Sequence, residues 1–326
     1  MRRKGSAVLL ILIAVILLSV FAGNGAIGTA DILRLLTGSG KASHGVILFQ
    51  VRLPRIAAAA GCGAALSVAG FLLQASLDNR IASPGILGIN NGAGLFVLLS
   101  ALLFPFRSGM RCVMSFAGAL AVTALISMIA VRTGISRTSV ILSGVAVSAL
   151  CVSAIDMIIS LRPETVADRA AFQIGGFAAL NGRIVPFGLL FIAAGLIAAY
   201  LLAPFMDLLC LGDETAQGLG LDVRSCRYLS IACAALLAGA SISMGGLLGF
   251  VGLIVPNCVR MAERGRCRNG VILCALCGAV FLLACDTLSR LLVFPYELPC
   301  GLLLSLIGAP FLTGLLVKKR KRMGAG

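Results

Sequence analysis

The sequence predicts an all-helical integral membrane protein, on the evidence of its composition, its long apolar stretches and its many small residues. Of the 326 residues, 60% are apolar and only 12% are charged, whereas soluble domains average about 25% charged. The mean hydropathy is +1.07. The 39 glycines, set among many Leu, Ala, Ile and Val residues, are typical of helices that pack closely in lipid. An ordinary water-soluble domain is therefore excluded.

About ten stretches approach the length of roughly 20 mostly apolar residues that a membrane-spanning helix needs. The seventh and eighth are short, and only the Gly245-Gly246 turn separates them. The first follows Arg2-Arg3-Lys4 and could also be a signal peptide with a small-residue site near Ala22-Gly23, but nine further spans favour a retained helix. The predicted spans are 6–22, 56–77, 84–104, 112–131, 138–161, 184–205, 226–243, 247–261, 270–289 and 299–317.

The formal charge of +15 would suggest nucleic-acid binding in a soluble protein. Here the basic residues lie in short connections between apolar stretches, and no basic face interleaved with aromatic residues exists to stack bases. The charge is better explained as an orientation signal, because Lys and Arg concentrate on the cytoplasmic side. Both ends are basic, with Arg2-Arg3-Lys4 at one and the run 318–322 at the other. An even number of spans with both termini cytoplasmic is predicted.

The cysteines and the histidine do not predict a metal site. Most of the 12 cysteines lie inside apolar runs, where Cys behaves as a small apolar residue. Cys274 and Cys277 have a redox or metal spacing, but they have no second pair and no nearby histidine, so helix packing is favoured. His44 is the only histidine and is expected in a polar loop. No cofactor is predicted in this chain.

No connection is long enough to hold an ATPase domain, since independent domains typically have about 100–150 residues. The stretch Gly38-Ser-Gly-Lys41 superficially resembles a phosphate-binding loop. It fails because Leu35 stands where the first glycine belongs and Ala42 replaces the Ser or Thr. Any ATPase that drives this protein must be another polypeptide.

Four motifs are more specific than apolar spans. They are Arg52-Leu-Pro-Arg55 with the glycines at 61, 63 and 70; Asn79-Arg-Ile-Ala82-Ser-Pro84 leading to Asn90-Asn91-Gly92; Leu211-Gly-Asp-Glu-Thr-Ala216-Gln-Gly-Leu-Gly220; and a C-terminal set from Gly246 through Pro256-Asn257, Asp286 and Arg290 to Glu297-Leu-Pro299 and Pro310.

Together these motifs resemble the FecCD family of ABC importer permeases, in the family's order and from about residue 50 to 316. The resemblance implies a BtuC-like fold in which 1–326 is a single transmembrane permease domain. It also implies a homodimer or close heterodimer with the passage at the subunit interface, two ATPase subunits inside and a substrate-binding protein outside. Such proteins perform no bond chemistry and carry iron–siderophore, haem or cobalamin across the bacterial or archaeal cytoplasmic membrane. Iron–siderophore is expected here from family frequency alone.

The resemblance also implies a coupling segment, at about 207–223, that docks on the ATPase. It is expected to form a short helix with acidic residues at its N-terminal end, where the helix dipole favours them, and with a left-handed glycine as its stop. The alternative is a plain amphipathic connection. The predicted coupling residues are Leu211, Gly212, Asp213, Glu214, Ala216, Leu219 and Gly220.

Arg52, Arg55 and Arg290 are expected at the outer rim, where the resemblance implies that they pair with glutamates of the binding protein. Two alternatives stay open. Isolated interfacial arginines usually snorkel from helix ends, and Arg290 has Asp286 four residues earlier on one helix face.

A cytoplasmic gate is predicted from polar turns on the inner side. Its candidates are Asn79, Ile81, Thr138 and Ser139, with ordinary turn and capping chemistry as the alternative. Asp156 lies inside the fifth span, where a carboxylate marks either the pathway or a bond to a neighbouring helix.

Two other functions remain open at the level of sequence. An ion-coupled secondary transporter would use Asp156 and Asp286 as coupling carboxylates, and a structural membrane subunit would transport nothing. The chain also departs from the family pattern where Asn257 replaces a histidine and Arg80-Ile81 replaces Pro-Leu.

Overall fold

The computed structural model of the protein describes residues 2–21, 42–104, 108–132, 137–162, 172–178, 180–263, 265–292 and 296–323. These residues form helices joined by turns, with no β-strand among them. The predicted all-helical fold is confirmed. Gly38–Lys41 and Ala22-Gly23 lie outside the described ranges. In chain order the helices are α1 (Arg2–Phe21), α2 (Ala42–Val46), α3 (Leu53–Ser76), α4 (Ile89–Leu103), α5 (Ser108–Arg132), α6 (Arg137–Leu161), α7 (Val185–Leu209), α8 (Asp213–Gly218), α9 (Val223–Gly245), α10 (Val251–Ala262), α11 (Cys267–Leu291) and α12 (Cys300–Met323).

Each of the ten predicted spans contains a helix. Within the described ranges, 5 helical stretches are long and apolar enough to cross a membrane, and five shorter apolar helices accompany them. The long stretches are His44–Ser76, Thr138–Leu161, Val185–Leu209, Val223–Gly245 and Cys267–Leu291. The chain therefore has the helices of a polytopic membrane protein, while the number of crossings and the side of the termini stay predictions.

The connection before the second span is more helical than predicted. We expected a polar loop around His44, but α2 (Ala42–Val46) and a π-helical turn (Ile47–Arg52) run without interruption into α3. Pro54 lacks a backbone N–H and its ring crowds the preceding turn. A π-helical turn directly before such a proline is a usual way for a helix to absorb this disturbance.

Helix α3 fills the centre of the subunit. In the helical stretch that contains α3, an apolar segment of 18 residues is 83% buried. Helix α3 packs against α7, α9, α10 and α11. Two glycines of the first motif allow its neighbours to approach closely. A Cβ on Gly63 would collide with the Gly278 carbonyl of α11, and a Cβ on Gly70 would collide with the Gly252 carbonyl of α10. Backbones approach this closely only where side chains are absent.

Helices α9 and α10 are separated at the predicted break. Gly246 caps α9 with φ +67°, and Phe250 precedes α10 with φ +65°. Two left-handed residues within five positions end one helix and redirect the chain before the next begins. The eighth predicted span is therefore a short helix, Val251–Ala262, with Pro256 inside it.

The helix directions place the candidate residues at two opposite ends. At one end, called outer after the charge-based topology, α1 and α11 finish and α3 begins. At the other, called inner, α3 and α7 finish while α9 and α11 begin. Arg52, Arg55 and Arg290 lie at the outer end, and Leu211 to Gly220 lie at the inner end.

Candidate functional site

The coupling segment folds as the short helix α8, bounded by two glycines with positive φ. Gly212 has φ +105° and Gly220 has φ +83°. Nothing lies within 4 Å of a Cβ built on either residue, so the backbone conformation and not space favours glycine at both places. The predicted short helix and the left-handed Gly220 are present. Asp213 and Glu214 occupy its first turn.

A buried arginine that the motif does not include anchors α8. The Arg227 side chain is 2% exposed, and its guanidinium donates two hydrogen bonds to the Asp213 carboxylate at 3.0 and 2.9 Å. Its Nε–H also donates to the Ser76 carbonyl at 3.1 Å. One side chain on α9 thus connects the start of α8 to the end of the central helix α3. Ala216 of α8 is also buried against the subunit, with 0% exposure.

The other side of the coupling segment is apolar and uncovered. Leu211 is 60% exposed and Leu219 is 59% exposed, one on each side of α8, and Glu214 is exposed between them. Both leucines lie outside the apolar spans, where lipid does not explain their exposure. A firmly anchored segment with two exposed leucines has the character of a protein-contact surface.

Asp222 fixes the connection that returns from α8 to the membrane. Its carboxylate accepts hydrogen bonds from the backbone N–H groups of Arg224 and Ser225 at 3.1 and 3.3 Å, and from the Ser225 hydroxyl at 2.6 Å. The Ser225 hydroxyl and backbone N–H hold the pKa of Asp222 below its usual value. The Asp222 carboxylate, which is the N-cap of α9, is therefore charged at pH values above the ordinary pKa of an aspartate. Its stabilisation of the helix is lost as the pH falls through the lowered pKa of the folded state.

The three predicted arginines meet at the outer end, in what we call the outer ionic cluster: Arg52, Arg55, Asp286, Arg290 and Glu297. Asp286 is its centre, with 0% exposure. Arg55 contacts Asp286 at 2.9 Å and Glu297 at 2.7 Å, and Arg290 contacts Asp286 at 3.3 Å. The cluster joins α3 and α11 to the residues before α12.

Helix α1 closes this cluster from its own C-terminal end. Arg52 donates to the Val20 carbonyl at 2.9 Å, and Arg290 donates to the Ser19 hydroxyl at 2.6 Å. The three arginines are 5%, 8% and 3% exposed, so they pack between helices and do not snorkel into solvent. The i, i+4 contact between Asp286 and Arg290, left open by the sequence, is present. The docking role of these arginines stays a prediction.

The gate candidates lie at the inner end and use turn chemistry. Asn79 Oδ1 accepts a hydrogen bond from the Ile81 N–H at 3.0 Å. Thr138 is exposed at the start of α6, and the Ser139 carbonyl accepts from the Ser143 hydroxyl at 2.7 Å. These contacts belong to local turns and helix starts, and they leave the predicted gating role untested.

Asn257 attaches the 79–82 turn to α10, a contact that the sequence did not predict. Its Nδ2 donates to the Arg80 carbonyl at 2.9 Å and to the Leu253 carbonyl at 2.8 Å. The family histidine that it replaces marked the position, although the amide's partner lies 177 residues away. The neutral side chain holds this turn without a titratable group.

Asp156 lies on α6, the most exposed of the long helices. Only 22% of the apolar 18-residue segment of α6 is buried, whereas 83% of the corresponding segment is buried in the stretch that contains α3. Asp156 itself is exposed, and its backbone carbonyl accepts from the Ser160 hydroxyl at 2.9 Å. Apolar side chains on the same helix, including Leu142 (69%) and Leu150 (66%), are uncovered as well. This face meets lipid or another subunit.

A cavity of about 400 Å³ lies beside α6, within the outer half of the subunit. It is bordered by α4, α6, the connection 172–184 and the end of α9. Its lining is mixed, with the polar side chains of Asn91, Gln173, Asn181 and Ser243 among apolar ones. It has the size of a small-molecule site, and it adjoins the exposed α6 face.

The buried central helix, the anchored inner segment and the charged outer end define a polytopic transport subunit. A family model described as the FecCD transport family matches residues 11–318. The Fe(3+)-citrate import system permease protein YfmD of Bacillus subtilis (strain 168) is 35% identical, over 98% of this chain and 97% of its own. The vitamin B12 import system permease protein BtuC of Vibrio cholerae serotype O1 is 33% identical, over 83% of each.

A solved structure has the same fold. An ABC transporter described as of the metal-chelate type, in an inward-facing conformation, superposes with a TM-score of 0.86 and 26% identity. The match covers 98% of this chain and 100% of that one. The chain belongs to the FecCD transport family. Its relatives are permease subunits of ABC importers, which are translocation components and not enzymes, so the predicted family and BtuC-like fold are confirmed.

Proposed function

We propose that this chain is the membrane-spanning subunit of an iron-chelate importer in the cytoplasmic membrane, working as a dimer with two separate ATPase subunits. A substrate-binding protein delivers the chelate at the outer end, and the chain itself holds no cofactor. The Bacillus relative, named for iron citrate, supports an iron chelate as substrate. The Vibrio relative, named for vitamin B12, supports the wider class of large metal complexes.

The observation that carries this proposal is the anchored but uncovered segment α8. Leu211 and Leu219 offer apolar contact to a partner outside the membrane, while Asp213 transmits force through Arg227 to α9 and α3. An ATPase that pushes on the leucines would therefore move two membrane helices together. A connection that merely joined α7 to α9 would not need a fully buried arginine.

The exposed face of α6 supports a second permease subunit, either another copy or a paralogue. A lone subunit leaves most of this helix uncovered, together with Asp156. If two such faces border the passage, Asp156 lies along it. The inner turns with Asn79, Ile81, Thr138 and Ser139 would then narrow its cytoplasmic end.

The outer ionic cluster supports docking of an acidic partner by its charge balance. It holds three guanidiniums and two carboxylates, so one positive charge is left uncompensated within the cluster. Glu297, with 31% side-chain exposure, marks the side from which a partner would approach. Charge complementarity of this kind increases association rates.

The competing ion-coupled mechanism is disfavoured by the surroundings of Asp286. A coupling carboxylate has to bind and release its ion in each cycle, but Asp286 is fully buried and held between Arg55 and Arg290. An ion that bound this carboxylate would have to displace two guanidiniums in every cycle. Asp286 is suited to structure and not to turnover.

The proposal is tested by replacing the two exposed leucines with serine in L211S/L219S. The variant is assembled with its ATPase and binding protein in proteoliposomes, and uptake of labelled iron citrate is measured with ATP inside. We expect uptake to fall by about tenfold or more, equivalent to about 1.4 kcal/mol of lost coupling. The melting temperature of the isolated subunit should not change, because neither side chain is buried.

The matched control is L211M/L219M, which keeps the apolar contact and should keep uptake. Wild-type uptake by L211S/L219S would contradict the coupling role of α8. Uptake driven by a proton or sodium gradient, by the subunit alone and without any ATPase, would contradict the proposed function as a whole.

A further inference from the structure

Two cysteines meet at the inner end, directly before the coupling segment. Cys210 is the C-cap residue of α7, and Cys267 is the first residue of α11. The Cys267 N–H donates to Asp207 Oδ1 at 2.7 Å, which fixes the start of α11 against the last turn of α7. Cys210 follows Asp207 by three residues and so lies on the same helix face. The two thiols are therefore neighbours at the junction of α7 and α11.

The two thiols differ in their access to water. Cys210 is exposed, whereas Cys267 is buried, with 8% exposure. The hydrogen bond from Cys267 and the nearby charge of Arg260 lower the pKa of Cys210 to about 7, against burial and the charges of Asp207 and Asp78. The neighbouring Cys267 thiol and Arg260 thus favour the thiolate form of Cys210. This is the arrangement of a reactive thiol with a resolving partner.

Other buried cysteines of the described chain lack this combination. Cys62, Cys233 and Cys274 lie within helices that form the core of the membrane region. Oxidants dissolved in the cytoplasm do not reach them, and they act as small apolar side chains. The pair at the α7–α11 junction combines an exposed thiol at the inner end with a second thiol in reach.

We propose that Cys210 and Cys267 form a peroxide-sensitive thiol pair whose disulfide fastens α7 to α11 beside the coupling segment. The Cys210 thiolate attacks one oxygen of hydrogen peroxide, the O–O bond breaks, and the departing hydroxide takes a proton to become water. Cys210 is then a sulfenic acid. The Cys267 sulfur attacks the Cys210 sulfur, the S–O bond breaks, and the hydroxyl leaves as water with the Cys267 proton. Two thiols are oxidised by two electrons, and one peroxide is reduced.

The bond would act on transport because of where it lies. Cys210 is followed by Leu211 and Gly212, which lead directly into α8. The cross-link would therefore lie within the connection between α7 and α8. This consequence rests on the proposed function, in which α8 has to move against the membrane helices. A disulfide between Cys210 and Cys267 would fix the connection between α7 and α8 to the first turn of α11. Cytoplasmic thiol reductants would reverse it.

The experiment uses the assembled transporter in proteoliposomes, treated with hydrogen peroxide, alkylated and digested for mass spectrometry. We expect a linked peptide pair containing Cys210 and Cys267, removed by dithiothreitol and absent from C210S and from C267S. The control C258S, which removes another exposed thiol, should still form it. If peroxide yields no such linked pair in the wild-type protein, the thiol pair is overturned, whatever the transporter does.

A second measurement separates the bond from its effect. ATP-driven uptake of iron citrate is followed before and after peroxide in the wild type and in C267S. We expect a loss of about tenfold in the wild type, restored by dithiothreitol, and less than about twofold change in C267S. Unchanged uptake in wild-type protein that contains the linked peptide would overturn the regulatory role and leave the proposed transport function standing.

Discussion

The two ends of the subunit use the same chemistry, a buried arginine against an aspartate on another helix, for different purposes. In the outer ionic cluster the carboxylate is fully buried and is shared by Arg55 and Arg290. At the inner end the arginine is buried, but Asp213 keeps 37% side-chain exposure. The outer pair fastens helices to one another. The inner pair holds a segment whose leucines remain uncovered.

The difference teaches that the surroundings of an ion pair indicate its role better than the pair itself. Around Asp286, the Val20 carbonyl and the Ser19 hydroxyl of α1 and the Thr287 hydroxyl of α11 accept further hydrogen bonds from Arg52 and Arg290. Around Asp213, Arg227 links the carboxylate to the Ser76 carbonyl, and the neighbouring Leu211, Glu214 and Leu219 side chains are exposed. Deleting a charge should therefore affect folding most at the outer end and partner contacts more at the inner end.

The largest effect is expected from D286A. It leaves Arg55 and Arg290 buried around an empty position, and removing one partner of a buried pair costs about 3–5 kcal/mol. We expect a large drop in the melting temperature of the detergent-purified subunit, followed by circular dichroism. The control E214A, on the exposed face of α8, should stay within about 0.5 kcal/mol of the wild type. Equal stability of the two variants would contradict the structural role of the outer ionic cluster.

A smaller effect is expected from R227A at the inner end. The variant loses charge-assisted hydrogen bonds to Asp213 and the Ser76 carbonyl, each contributing about 1.5–3 kcal/mol, but the half-exposed Asp213 can regain water. We expect about 2 kcal/mol of lost stability together with reduced ATP-driven uptake. The control is R224A, because Arg224 is exposed on the same turn of α9. A loss equal to that of D286A would remove the distinction between the two ends.

The smallest effect is expected on docking, tested by two changes of opposite sign. R52Q removes a positive charge from the outer ionic cluster, and E297Q removes a negative one. If an acidic partner binds there, R52Q should weaken binding of the loaded substrate-binding protein by about threefold, or 0.7 kcal/mol, and E297Q should strengthen it slightly. Affinity is measured in detergent at low salt. Equal affinities for both variants would show that the charge of Arg52 does not contribute to docking, which would leave its contact with the Val20 carbonyl as its role.

The sequence predicted the helices well because their signal is local. Apolar length and the glycine that ends α9, Gly246, act within a few residues of where they stand. The helix at 42–52 was missed because its residues are too mixed for an apolar span and a proline follows it. Its helical conformation depends on joining α3, which the local pattern does not reveal.

The candidate site was predicted in its positions but not in its partners. The motif residues from Leu211 to Gly220 form the short helix that we expected. Arg227 was not among the predicted site residues, although a charge so near the start of an apolar span was the available signal. Pairing between Arg55 and Asp286 links positions 231 residues apart, and no spacing rule reaches that far. The docking residues were therefore found at the outer end, but in contacts within the subunit.

The buried position of α3 bears on the architecture of the transporter. Its glycines contact neighbouring backbones directly, so this axis has no room for a conduit and none for a larger side chain. Under the proposed function, solute would then travel along the flank of the bundle. Such a flank encloses a passage only when a second subunit faces it. The width available to the solute would then depend on the assembly and not on the fold of one chain.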